Sequence, residues 1–300
     1  MMLTADAAFA AYEAVRPRLP AAVPPGQAAR RVATLDAVAD LFDVFLLDAF
    51  GVLNIGETAI PGTAERIEGL RRAGKRVLVV SNAASVPLAE LERKYRRLGY
   101  DFAPEDIITS RAAMAAALGA MAPRDWGVMG AEPARFDDLG DLRLTLLAED
   151  RAAYDAAEGF LLIGSGAWTE DRQALLEASL GAAPRPVLVA NPDIVAPRET
   201  GFSAEPGHFA HRLADRLGLA PAFYGKPFAN IYDLVFARLG PVDKARVLMV
   251  GDSLHTDILG AQAAGVRSAL VADYGFFAGH DVEAAIDRAG IVPDFVLDRP

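Results

Sequence analysis

The sequence predicts an α/β protein: a Rossmann-like parallel sheet with helices on both faces, interrupted by an inserted α/β cap. Three observations carry that expectation. Short apolar runs without polar alternation recur along the chain, amphipathic stretches separate them, and the pattern continues on a smaller scale between residues 124 and 219. A strand with one wet face alternates, whereas a strand buried on both faces reads as a continuous apolar run. Runs of the second kind, spaced by helical patterns, belong to a parallel sheet.

The elements follow in order. MMLTADAAFAAYEAVRPRLP carries Asp6 and Glu13 where a secretory leader would need positive charge and then an apolar stretch. It reads as a helical extension, residues 1–40, whose helix ends near Pro17 and Pro20, with Pro24 and Pro25 preventing a restart. Val44–Leu47 is the first strand, flanked by Asp43 and Asp48. Pro61 opens a helix that ends near Gly74, Arg76–Val80 is the second strand, and a helix from Pro87 to Leu98 stops at Gly99. Towards the C-terminus come a strand at Val247–Val250, a helix from Thr256 to Ala264 stopped by Gly265, and a strand at Ser268–Ala272. The middle offers strands at Trp126–Gly130, Leu142–Leu146, Phe160–Gly164 and Pro186–Ala190, with a helix from Thr169 to Leu180 and a Pro-rich break at Ala182–Pro186. The core is therefore expected over 41–123 and 220–300, and the cap over 124–219.

Composition narrows the function. The 300 residues are 52% hydrophobic and 23% charged, as in a soluble globular chain, and carry a formal net charge of −10. Phosphate backbones and anionic membranes repel such a chain, so neither nucleic acid nor a membrane is an expected partner. An anionic substrate must be held by local cations and backbone N–H groups. There is no cysteine, which excludes disulfides, thiolate nucleophiles and cysteine metal sites. No apolar run approaches the roughly 18 residues that span a bilayer. The expected compartment is the cytoplasm. The cap surface or the N-terminal helix could support a homodimer.

In a parallel sheet the chemistry gathers at the C-terminal ends of strands. FLLDAFGVL (45–53), VVSNAAS (79–85), GKPFANIY (225–232) and VGDSLHTDILGAQAAG (250–265) each set polar groups after a strand or at a helix start. Asp48 is a carboxylate able to attack an electrophile. Ser81 and Asn82 offer a hydroxyl and an amide to anionic oxygens, and Lys226 supplies a cation. Asp252 and Asp257 add hard oxygen ligands suited to magnesium. These are the parts of phosphoryl transfer through an aspartyl phosphate.

Four such segments in this order resemble the haloacid dehalogenase superfamily of hydrolases. The insertion between the second and third, the Pro61-Gly62 turn, Asn191-Pro192-Asp193 and Gly225-Lys226-Pro227 resemble its phosphatases with a large α/β cap, which act on nucleotides, pyridoxal phosphate and sugar phosphates. The resemblance covers residues 44–275. It implies that Asp48 is the nucleophile and a Mg²⁺ ligand, that Asp252 is the second carboxylate ligand, and that residue 50 ligates through its carbonyl. Ser81 and Asn82 would bind the phosphoryl group, Lys226 would neutralise it, and Asp257 would orient metal-bound water. A small phosphorylated metabolite is the implied substrate.

One position departs from that pattern. The phosphatases carry a second aspartate two residues after the nucleophile, as the acid that protonates the leaving oxygen and the base that activates water. Here it is Phe50. Three readings stand: a phosphohydrolase whose substrate leaves easily or whose proton comes from elsewhere, a carbon–halogen hydrolase, and a phosphoryl-ligand sensor without turnover. His255, between Asp252 and Asp257, is a candidate substitute acid–base, set against an ordinary loop histidine. His208 and His211 have helical metal-ligand spacing but no third ligand and read as surface residues, as does His280. Asn191 and Asp193 read as a turn or as a substrate-side pair, and Phe50 as packing under the cap or stacking on substrate.

Overall fold

The computed structural model describes residues 4–23, 26–130, 136–197 and 201–300, so the turn expected at Pro24 and Pro25 lies outside the described residues. A seven-stranded sheet forms the core, in the order 30–32, 295–297, 267–271, 247–251, 44–47, 76–81, 107–109. Every neighbouring pair in it is parallel. The apolar runs are buried on both faces, as expected. Phe45, Leu47, Val77, Val79, Leu248 and Val250 enter one cluster. Their chain neighbours Val44, Leu46, Leu78, Val80, Val247 and Met249 enter another on the opposite face. The period of two divides each run between two cores.

The cap is a second parallel sheet, in the order 222–223, 187–189, 159–162, 125–129, 143–146. It divides its side chains in the same way, with Phe160, Leu162 and Val189 in one cluster and Trp126, Val128 and Leu161 in another. Its helix Glu170–Ala182 starts where Thr169 accepts a hydrogen bond from the Arg172 N–H, satisfying a donor that the first turn would leave open. The antiparallel pair Val195–Pro197 and Phe202–Ala204 adjoins it.

Three boundaries differ from the expectation. Residues 1–40 are not only a helical extension: after the helix Ala5–Val15, Arg30–Val32 joins the core sheet against Phe295–Leu297. An edge strand with two exposed arginines has no buried run to announce it. The cap continues past 219, because Ala222–Phe223 pairs with Leu188 and Val189. Two residues are too few to show a period. The helix expected to start at Thr256 starts instead with a wide π turn, Leu254–Ile258, before the α-helix Leu259–Ala264.

The N-terminal helix docks where core and cap meet. Phe9, Tyr12 and Val15 pack with Ile194, Val195 and Phe202 of the cap and with Leu254, Ile258 and Phe276 of the core. Arg18, just beyond the helix, pairs with Asp215 on the cap helix Pro206–Leu217.

Candidate active site

Asp48 follows the strand Val44–Leu47, and Asp252 follows its neighbour Val247–Gly251. The parallel register continues one residue beyond the strand, with the Asp48 N–H donating to the Val250 carbonyl at 2.8 Å. The two carboxylates therefore emerge side by side at the top of the sheet. Ser81 ends the strand on the other side of Asp48. Together with Phe50, Asn82 and Lys226 they line one cavity of about 430 Å³ between core and cap. That size suits a small metabolite.

Lys226 is the charge at the centre. Its side chain is almost wholly buried, and Nζ lies 2.7 Å from Asp48 Oδ1 and 2.7 Å from Asp257 Oδ1. Burial opposes its charge, but Asp257 and Asp48 outweigh burial and hold the ammonium well above the usual lysine range. Asn82 fixes the backbone of Lys226 from both sides: its Oδ1 accepts from the Lys226 N–H at 2.8 Å, and its Nδ2 donates to the Lys226 carbonyl at 2.9 Å. Asn82 is thus a buried bracket as well as a cavity-lining amide.

Asp257 lies under the cavity floor. Its Oδ2 accepts from the backbone N–H groups of Asp252 and Ser253, both at 3.1 Å. A Cβ on Gly251 would fall 2.0 Å from the Asp257 carboxyl carbon, so only glycine admits this carboxylate beside the strand end. Asp252 Oδ2 accepts from the Phe276 N–H at 2.8 Å, and Gly275, at φ +74°, leaves room where a Cβ would meet that same oxygen at 1.9 Å.

Asp48, Asp252 and Asp257 bring carboxylate oxygens within 4.8 Å of one another. Burial first, and then the neighbouring Asp257, push the Asp48 carboxyl up to about 6, against the pull of Lys226. Burial, Asp257 and Asp48 likewise raise Asp252. Three carboxylates share one lysine. The all-oxygen donor set and the uncompensated negative charge of the three carboxylates fit a hard divalent cation such as Mg²⁺.

His255 does not join them. It does not line the cavity; its ring is buried against the N-terminal helix, Nε2 lying 2.5 Å from Glu13 Oε1, stacked on Tyr12 and edge-on to Phe9. The π turn directs it there, so the loop position that suggested an acid–base does not deliver one. His211 is not a surface residue either: it is buried and stacked on Phe223, and burial lowers its pKa to about 4. His280 is exposed.

The cavity also includes residues that the motifs did not indicate. Tyr12 from the N-terminal helix, Tyr95 from the helix Leu88–Arg97, and Phe276 give it an aromatic wall beside Phe50. The one sequence signal for Tyr12 was its spacing from Phe9 and Val15 on an apolar helix face. Asn191 and Asp193 form the expected turn, with the Asp193 N–H donating to Asn191 Oδ1 at 3.0 Å. Asp193 also accepts from Asn82 Nδ2 at 2.8 Å, so this cap residue is bonded to the core.

Comparison with known proteins agrees with the geometry. Human glycerol-3-phosphate phosphatase is 28% identical over 291 residues, spanning 85% of this chain and 88% of its own. D-glycerol 3-phosphate phosphatase of Mycobacterium tuberculosis is 30% identical, over 79% of this chain and 65% of its own. Among solved structures, a possible sugar phosphatase from Cytophaga hutchinsonii shares the fold with a TM-score of 0.78 at 24% identity, covering 90% of this chain and 98% of its own. The 4-nitrophenylphosphatase of Thermotoga maritima superposes with a TM-score of 0.71 at 25% identity, covering 87% and 96%. Residues 45–137 match the family described as haloacid dehalogenase-like hydrolase, and residues 223–299 match a second described as HAD-hydrolase-like. With both halves of the core matched and the cap between them, the chain belongs to the haloacid dehalogenase-like hydrolases.

Proposed function

We propose that this protein is a Mg²⁺-dependent phosphatase of small phosphate esters that works through an aspartyl phosphate at Asp48. The observation that carries the reading is Lys226 Nζ, 2.7 Å from both Asp48 and Asp257, in a cavity that Ser81 and Asn82 also line. A phosphoryl group over Asp48 would meet the ammonium and the Ser81 hydroxyl together, while the Asn82 amide, its two N–H groups already given to the Lys226 carbonyl and to Asp193, holds the lysine in place rather than binding the anion itself. Lys226 would neutralise its oxygens while Asp48 attacks phosphorus. Asp48 and Asp252 would hold Mg²⁺, which supplies charge neutralisation of the phosphoryl oxygens. The phosphatase names of the relatives support the same reaction class, and the small cavity supports a small ester.

Phe50 shapes the substrate preference. Phe50 itself offers the leaving oxygen no proton, and the aromatic side chains of Tyr12, Phe50, Tyr95 and Phe276 that line the cavity favour an apolar or aromatic leaving group. The test is phosphate release with Mg²⁺ from esters spanning leaving-group pKa, with Asp48→Asn as the inactive control. Aryl and acyl phosphates are expected to react faster than alkyl esters. Phe50→Asp adds a proton donor beside Asp48 and is expected to raise alkyl-ester turnover. Ligand binding without release, or halide release without metal, would replace this reading.

A further inference from the structure

Phe50 leaves a chemical gap: a phosphate ester of ordinary leaving group needs a proton for its departing oxygen, and water needs a base. The carboxylates facing the cavity are few. Asp48 and Asp252 belong to the cluster already described. Glu57, at the exposed mouth, pairs with Lys94 at 2.9 Å and Arg97 at 3.8 Å, and Glu90 lies near Arg93. Asp193 is different. It faces the same cavity from the cap side and makes no ion pair among the described residues; its one side-chain partner is the Asn82 amide.

The position of Asp193 is fixed from several directions. Asn82 Nδ2 holds its Oδ1 at 2.8 Å and also donates to the Lys226 carbonyl, so Asp193 is one residue removed from the lysine that contacts Asp48. The Asp193 carbonyl accepts from the Gly207 N–H at 3.0 Å. A Cβ on Gly207 would lie 2.6 Å from that carbonyl and 2.1 Å from the Pro192 carbonyl, so the helix start can approach only as glycine. The next residue, Ile194, donates its N–H to the Tyr12 hydroxyl at 3.2 Å. The Asn82 bond engages Oδ1 and no hydrogen bond among the described residues engages Oδ2, in a residue that lines the cavity.

We propose that Asp193 carries the proton that residue 50 cannot, as the acid and then the base of the reaction. The inference rests on the phosphatase reading. In the first step an Asp48 oxygen bonds to phosphorus, the bond from phosphorus to the leaving oxygen breaks, and that oxygen takes the proton of the Asp193 carboxyl. The products are an alcohol, phospho-Asp48 and an Asp193 carboxylate. In the second step water gives a proton to Asp193 and its oxygen bonds to phosphorus. The bond to Asp48 breaks, releasing inorganic phosphate and restoring both aspartates.

The electrostatics agree with that order. Enclosure pushes the Asp193 carboxyl up to about 8, with the Asn82 amide and Lys226 pulling it down and Asp48 and Asp257 pushing it up. The Tyr12 phenol faces it from the N-terminal helix. The upward direction favours the protonated carboxyl, the form that acts first as an acid.

Asp193→Asn keeps the shape and the acceptor for Asn82 but has no transferable proton. The experiment measures wild type, Asp193→Asn and Asp193→Glu, with Mg²⁺, on 4-nitrophenyl phosphate and on glycerol 3-phosphate. The Asn variant, its second step slowed, is expected to show a nitrophenol burst on the aryl ester whose amplitude counts intact sites, a slow steady state after it, and a loss of about 10²-fold or more on the alkyl ester. The fall in wild-type alkyl turnover on the alkaline side, where Asp193 loses its proton, should vanish in it. Asp193→Glu should recover part of the alkyl rate. Equal losses on both esters in the first step, or none on either, overturn the assignment of Asp193 alone. Wild type that releases no phosphate from either ester overturns the phosphatase reading with it.

Discussion

The two walls of the cavity are built by different means. The core wall grows out of a sheet: Asp48, Ser81 and Asp252 each follow or end a buried strand, and the ladder between neighbouring strands sets their spacing. The opposite wall is assembled from pieces distant in sequence. Tyr12 arrives on an N-terminal helix, Asp193 and Val195 on a cap segment, and Phe276 on a loop after the strand Arg267–Val271. The sheet wall is rigid because backbone hydrogen bonds hold it whatever the side chains do. The assembled wall is only as rigid as its side-chain bonds, such as Asn82 to Asp193 and Ile194 to Tyr12. Charge is concentrated in the first wall and chemical individuality in the second.

Substitutions can break or sharpen that contrast. The largest effect belongs to the sheet wall. Lys226→Met leaves Asp48 and Asp257 without their buried cation, and removal of one partner of such a pair typically costs about 3–5 kcal/mol. Denaturant unfolding without Mg²⁺ should show that loss, and a second change, Asp48→Asn, should recover part of it. A Lys226→Met chain as stable as wild type would mean that the carboxylates do not depend on the lysine.

A second effect, smaller per pH unit, separates the walls by pH. The folded pKa of Asp193, about 8, lies above the ordinary carboxyl value of about 3.8. A raised pKa means that the folded chain holds the proton more tightly. The contribution is therefore full below about pH 4, falls as pH rises, and is gone above about 8. Relative to Asp193→Asn, wild type should lose up to about 1.4 kcal/mol of stability per pH unit across that window, and no more above it. Urea unfolding at a series of pH values measures this difference directly, and parallel curves for the two proteins would count against the enclosure of Asp193.

The smallest effect tests the pin between helix and cap. Tyr12→Phe removes the acceptor of the Ile194 N–H and should cost about 0.5–1.5 kcal/mol. Its kinetic mark should be a higher KM with a nearly unchanged kcat, because the phenol borders the substrate and takes no proton. A change confined to kcat would give Tyr12 a different part.

What the sequence revealed follows the same division. Strand-end residues could be located because a buried parallel strand announces itself as an apolar run, and the polar residue after it has only one place to be. The parallel core and the convergence of Asp48, Ser81 and Asp252 were legible on that basis, although only four of the core strands were, and Lys226 was legible from the Gly225-Lys226-Pro227 setting alone. His255 was misplaced because spacing along the chain cannot say which way a π turn directs its side chain. Arg30–Val32 was missed because an edge strand needs no apolar run. Tyr12 could be seen as one face of a helix, but only the fold shows what that face covers. Contacts between residue 12 and residue 194 leave no periodic trace in either segment.

The docking of the N-terminal helix has a consequence for how the molecule comes into being. Phe9 and Tyr12 precede every other element in sequence, yet the surfaces that cover them lie at Ile194 and Val195 and from Leu254 to Ile286. During synthesis these side chains leave the ribosome early and wait, uncovered, while more than two hundred further residues are made. An apolar helix exposed for that time is the kind of segment that chaperones hold or that neighbouring chains capture. The cavity thus acquires its last wall from a segment made long before the surfaces that cover it, and a nascent chain halted before residue 254 would have Asp48, Ser81 and Lys226 but no enclosed site.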